Sequence, residues 1–134
     1  MSEFNFKSQI CTDKIQSERL LALGLKKETA DMCWSNVLTN GNREWLLIPT
    51  SNTKTYTKME IPAWSLHRLL ELIPENIFTG VRNQWHRVMY NGVLTYEEWD
   101  DSLVSFMEAN IYDRCISCIE WLIKEGYFNK EYFV

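Results

Sequence analysis

Histidine, proline, glycine and long apolar runs are all scarce in this 134-residue sequence, and each scarcity excludes something. Two histidines leave His67 and His86 as the sole imidazoles for acid–base or metal chemistry. Three prolines and five glycines are too few for a collagen-like or low-complexity chain. No stretch reaches the roughly 18 consecutive apolar residues that cross a bilayer. The opening MSEFNFKSQI has neither the basic start nor the apolar run of a secretory leader. The chain therefore reads as cytoplasmic, with no membrane partner. Basic runs never exceed pairs such as Lys26-Lys27 and the net charge is -4. That balance speaks against the clustered cations of a duplex-binding face. No glycine-rich phosphate loop and no EF-hand spacing occurs, so the sequence implies no cofactor and no metal.

What is present is a core. Apolar residues make up 46% of the chain, enough for one domain over residues 1–134 to fold without crosslinks. Four cysteines, Cys11, Cys33, Cys115 and Cys118, read as thiols, because a reducing compartment gives an even count no meaning as disulfides. Six each of Trp, Tyr and Phe are many for this length. Most belong to the core, and the remainder point to a contact surface.

Local patterns place the elements. Thr12 or Asp13 can cap a helix running to about Leu23, with Gly24 supplying the left-handed residue that ends it and Leu25 the closing apolar contact. Thr29 to Met32 reads as a turn or short helical piece. Asn40-Gly41, between Met32–Val37 and Glu44–Ile48, suggests a hairpin, and the Thr, Ser and Asn-rich stretch from Pro49 to Lys58 an exposed loop. Pro62 suits the first position of a second helix ending before Pro74, whose Leu66, Leu69, Leu70 and Ile73 form a core stripe with Trp64 docking at its start.

Asn91-Gly92 gives the clearest β pattern. Counting outward from it opposes Tyr90 to Val93, Met89 to Leu94, Val88 to Thr95, Arg87 to Tyr96 and His86 to Glu97. Trp85, Arg87, Met89, Leu94 and Tyr96 then share one face, and His86, Val88, Tyr90, Val93, Thr95 and Glu97 the other. A turn at Asp100-Asp101-Ser102, a third strand over Leu103 to Met107, and a final helix from about Arg114 to Glu125 complete the chain. The fold class is α+β, a small antiparallel sheet of about three to five strands packed against about three helices.

Three constellations merit a chemical reading. Cys115-Ile-Ser-Cys118 has redox or zinc-ligand spelling at a helix start, but Cys115 falls along an apolar stripe with Ile116, Ile119, Leu122 and Ile123, where free cysteine packs as a small hydrophobe, and the motif reads as buried core. His86 faces Glu97 across the hairpin, a pairing that stabilises a hairpin and that could also orient an imidazole for proton transfer. No nucleophile or oxyanion donor accompanies it. Trp85, Arg87 and Tyr96 would make an aromatic binding patch with one cation wherever no helix covers their face. The acidic run Glu97, Glu98, Asp100 and Asp101 reads as a solvated turn, its first two carboxylates lying on opposite faces of the strand.

The blocks CTDKIQSERLLALGL (Cys11 to Leu25), TADM (Thr29 to Met32), IPAWSLHRLLELIP (Ile61 to Pro74) and IEWLIKEGYF (Ile119 to Phe128) resemble a family of short uncharacterised proteins encoded in prophages and mobile elements of gut Bacteroides-type bacteria. The resemblance covers about half the chain in separated blocks and implies origin and fold rather than chemistry. Where that family carries Asn-Pro after Tyr-Asp, this sequence has Arg114-Cys115, which makes Asp113 the expected helix cap. No catalytic residue is carried across.

The resulting expectation is a small cytosolic accessory or interaction protein, non-enzymatic, of mobile-element or prophage origin, binding another protein and open to self-association. A module for single-stranded nucleic acid stacking on Trp85, Arg87 and Tyr96 is the alternative, although the charge does not favour it. A hydrolase or transferase built on His86 and Glu97 is the third.

Overall fold

The computed structural model describes residues 8–49, 60–80 and 83–134. Helix α1 spans Lys14–Ala22. Asp13 starts it with a reciprocal cap: its Oδ1 accepts the Gln16 N–H at 2.7 Å and the Gln16 Oε1 accepts the Asp13 N–H at 3.0 Å, satisfying two of the donors a helix start leaves open. At the other end Gly24 takes φ 97° while the Leu25 N–H reaches back to the Leu20 carbonyl. Leu25 is buried, so the chain turns into the core as the Gly-Leu pair implies.

Strands β1 (Met32–Thr39) and β2 (Asn42–Pro49) form the expected hairpin, Thr39 facing Asn42 across Asn40-Gly41 with φ 50° and 82°. A third strand, β3 (Glu60–Ala63), pairs with β1 and closes a sheet in the order β2-β1-β3. Pro49 ends β2. The rest of the expected loop lies outside the described residues.

Pro62 is a correction. It lies in β3, an edge strand that tolerates its missing N–H, and helix α2 (Leu66–Leu72) begins after Ser65, whose hydroxyl accepts the Arg68 N–H at 3.1 Å. A proline and a serine cap both suit this segment, and the pairing of Cys33 with Pro62 decides between them. Trp64, between strand and helix, is fully buried, its indole donating to Thr29 Oγ1 at 2.9 Å.

The second sheet has the order β4-β5-β6-β7, with β4 at Asn76–Phe78, β5 at Gln84–Tyr90, β6 at Val93–Glu98 and β7 at Asp101–Phe106. The β5–β6 register is the one counted from Asn91-Gly92, pair for pair. Strand β4 escapes the sequence pattern because three residues show no period. The β6–β7 turn falls on Trp99-Asp100 rather than Asp100-Asp101-Ser102, because Glu98 already pairs with Asp101. Leu103 is an extra residue in β7: Tyr96 faces Val104 while Glu97 faces Ser102.

Helix α3 (Ile111–Glu125) starts three residues before the expected Arg114. Asn110 caps it, its Oδ1 accepting the N–H groups of Tyr112 at 2.8 Å and Asp113 at 3.3 Å, so Asp113 sits inside the first turn and is not the cap. Gly126, with φ 83°, ends it. Cys115, Ile116, Cys118, Ile119 and Leu122 on its inner face are buried. Each fully buried Ile or Leu contributes roughly 1.5–3 kcal/mol.

The architecture is α+β, three helices with two antiparallel sheets where the sequence pattern suggested one. A continuous core joins Leu20 of α1, Trp64, Leu69 of α2, Ile77 of β4, Leu94 and Tyr96 of β6, and the inner face of α3. No helix among the described residues is long and apolar enough to cross a membrane.

Candidate functional site

Trp85, Arg87 and Tyr96 do share one sheet face, and that face is the core. Tyr96 has 0% exposure and its ring stacks on Trp121 of α3 at 6.3 Å between centroids. Its hydroxyl donates to the Pro74 carbonyl, and burial raises its pKa well above the usual phenol value. Arg87 donates through Nη1 to the carbonyls of Leu70 and Ile73, both at 2.7 Å, holding the C-terminal end of α2, and Trp85 donates to Thr79 Oγ1 at 2.8 Å. The expected stacking patch is thus corrected: α3 covers the face, and its polar groups fasten α2 and the segment after it to the sheet.

His86 and Glu97 are opposed in register, yet their side chains form no ion pair within 4 Å. The imidazole Nδ1 instead meets Asn76 Oδ1 of β4, the strand absent from the sequence reading. The cysteines are free and buried. Burial raises the thiols of Cys11 and Cys115 to about 11, and raises Cys118 further. A raised thiol pKa disfavours the thiolate that redox or metal chemistry needs. Among the described residues no group of three or more His, Cys, Asp or Glu is placed to hold a metal ion.

Concave surface lies elsewhere: one hollow of about 380 Å³ is lined by Leu21, Gly24, Leu25, Lys26, Lys27, Glu28 and Val134, and three adjoining ones surround α2. A hollow of about 350 Å³ is lined by Glu28, Thr29, Arg68, Glu71, Leu72 and Tyr132. A second, of about 240 Å³, shares Glu71, Leu72 and Tyr132 and continues over Pro74 and Phe128. Together they form one groove, with a floor from α2 and walls from the 3-10 turn at Lys27–Thr29 and from the segment after α3. Glu71 also borders a third hollow with His67, Leu70, Glu75 and Arg87, so it stands where three depressions meet.

Both walls are pinned by buried or half-buried hydrogen bonds. Asp31 accepts from the Ser65 N–H at 2.8 Å and from the Ser65 hydroxyl, while Arg68 Nη1 donates to the Thr29 carbonyl at 2.9 Å. These ties hold the first wall to the start of α2. On the other side the Lys26 N–H donates to the Tyr132 carbonyl at 2.8 Å, the Val134 N–H donates to the Gly24 carbonyl at 2.7 Å, and Phe128 packs against Tyr132 and Phe133. A groove with fixed walls loses little conformational entropy when filled.

Glu71 is paired within α2. Its Oε1 lies 3.3 Å from His67 Nε2 and 3.4 Å from Arg68 Nε. Glu28 has no cation within 4 Å among the described residues, and the hydroxyls of Tyr127 and Tyr132 make no hydrogen bond there. The groove therefore offers a mixed lining, charged at one end through Glu28, Arg68 and Glu71 and more apolar at the other through Leu72, Pro74 and Phe128, with the phenols of Tyr127 and Tyr132 beside it. Such a set suits an extended segment bearing a cationic group beside an apolar one. It lacks a nucleophile beside a base. The sequence held one sign of this site, the buried stripe of α2. Glu71, Arg68 and Tyr132 carried no sign, because their proximity depends on the tail folding back past α2.

Comparison with known protein families, with curated proteins and with solved structures finds no match to this chain.

Proposed function

We propose that this chain is a small cytosolic interaction protein, non-enzymatic, that binds an extended segment of another protein in the groove beside α2. The observation that carries this reading is the meeting of three hollows at Glu71 between hydrogen-bonded walls, with Leu72, Pro74 and Phe128 as the apolar part of the lining and Glu28 and the two phenols as its unengaged polar groups. The blockwise resemblance to prophage and mobile-element proteins supports an accessory role. Further support comes from the burial of all four thiols and from the pairing of each imidazole with a neighbour rather than with a nucleophile.

Panning a random peptide library against the purified chain tests the proposal. Peptides pairing Lys or Arg with an apolar side chain are expected, with binding weakened at least about tenfold by Glu71→Lys and by Tyr132→Ala, as truncated contact residues commonly show. Enrichment that is indifferent to both substitutions would place binding elsewhere. Failure to enrich any sequence would argue against the groove as a peptide site.

A further inference from the structure

We infer that strand β7 is a self-pairing edge, through which two copies of this chain join their four-stranded sheets antiparallel about a two-fold axis. Among the described residues four strands lie at sheet edges. Strand β2 carries Arg43, Glu44 and Pro49, β3 is four residues long and holds Pro62, and β4 is three residues long. Prolines, charges, bulges and shortness are the usual means by which edges avoid pairing, and β7 has of these a charge at its first residue and the bulge at Leu103. β7, Asp101–Phe106, has six residues, no proline and no charge after Asp101. Among the described residues its backbone makes no hydrogen bond beyond those to β6.

Its sequence is self-complementary. Pairing about the midpoint between Leu103 and Val104 sets Ser102 opposite the second copy's Ser105, and Leu103 opposite its Val104. Ser102 and Ser105 already share a face, since they pair with Glu97 and Thr95 of β6, two residues apart. Over these four central residues polar groups meet polar groups and apolar meet apolar, while Asp101 at the strand's start falls opposite Phe106 at its end; the extra residue Leu103 lies beside the axis, where its bend is shared by both copies.

The flanks give the independent argument. Trp99, just before β7, is 93% exposed and holds φ 55°, a backbone region an indole-bearing residue rarely adopts. Met107, just after β7, is 70% exposed. The same two-fold register carries each copy's Trp99 to the Met107–Glu108 position of the other, so two of the most exposed apolar side chains of the molecule cover one another. Sulfur–aromatic contact adds to this burial. A single pair of short strands makes a small interface, the class of weak and transient association, so the expected dissociation constant is roughly micromolar or weaker.

Sedimentation velocity of the full chain from about 1 to 300 µM, bracketing that affinity, tests the inference. The expected result is a concentration-dependent monomer–dimer equilibrium, weakened at least about tenfold by Trp99→Gly and by Met107→Glu, because a central apolar anchor dominates small interfaces. Far-UV circular dichroism and melting confirm that these exposed-site variants fold. The double variant Ser102→Cys, Ser105→Cys tests the register directly. Oxidation should give a covalent dimer, whereas Ser102→Cys alone should not, its two copies lying about 10 Å apart at three residues' rise. A chain that is monomeric throughout, a dimer indifferent to Trp99→Gly, or a dimer whose double variant fails to crosslink overturns the inference.

Discussion

Replacing Tyr96 by Phe separates a core residue from a surface one. The ring stays, so the stack on Trp121 is kept and the hydroxyl alone is lost. That hydroxyl donates to the Pro74 carbonyl in a side chain with no exposed surface, so its removal leaves a carbonyl without its donor. The loss is about 1–2 kcal/mol, or roughly 3–10 °C in melting temperature for a domain of this size. Tyr96→Ala removes the ring as well and should cost about 3–5 kcal/mol, a large part of the 5–15 kcal/mol that holds a typical domain folded. Arg87 secures the same end of α2 through the Leu70 and Ile73 carbonyls, so Tyr96→Phe and Arg87→Met should combine with a coupling of roughly 0.5 kcal/mol or more rather than add. Urea titration followed by circular dichroism measures all three. A Tyr96→Phe stability within about 0.5 kcal/mol of wild type, the usual effect of a surface change, would refute the assignment of this hydroxyl to the core.

The buried thiols set an alkaline limit. Their folded pKa values are raised, to about 11 for Cys11 and Cys115 from an ordinary 9.0, so above pH 9 the unfolded chain loses protons that the folded one keeps. Stability should be fully present below pH 9 and fall as pH rises toward 11, and Cys115→Ala should flatten that slope in pH-dependent urea titrations. The same burial predicts that a thiol reagent labels none of the four cysteines at neutral pH until denaturant is added. Asn110→Ala removes the acceptor for two N–H groups of α3 and should cost about 1 kcal/mol in thermal melts, while Asp113→Ala should cost less, reversing the order expected if Asp113 were the cap. His86→Ala should change stability by no more than about 0.5 kcal/mol, since the ring is exposed and its hydrogen bond is to Asn76; a larger loss would restore a structural role for its pairing with Glu97.

Sequence alone determined the features that depend on neighbours in the chain. Asn91-Gly92 fixed the β5–β6 register because a two-residue turn with both φ values positive allows one pairing. Thr12 or Asp13 at one end and Gly24 with Leu25 at the other bounded α1, and the hydrogen bonds between Asp13 and Gln16 chose Asp13 as the cap. The stripe on α3 pointed to Cys115 as a core group, and the packing of the helix buried Cys118 with it. What the alternation of side chains left open was which sheet face the helices cover. Trp85, Arg87 and Tyr96 read equally well as an exposed platform or as a buried floor, and the docking of α3, with Trp121 over Tyr96, decided for the floor. Pro62 suited both a helix start and an edge strand until β1 paired with it. His86 had a cross-strand partner by register, but β4 supplied Asn76 from ten residues earlier and took the imidazole. The groove at Glu71 is wholly tertiary. It needs residues 28, 71 and 132 brought together, and long-range contact of that kind leaves no period in the sequence.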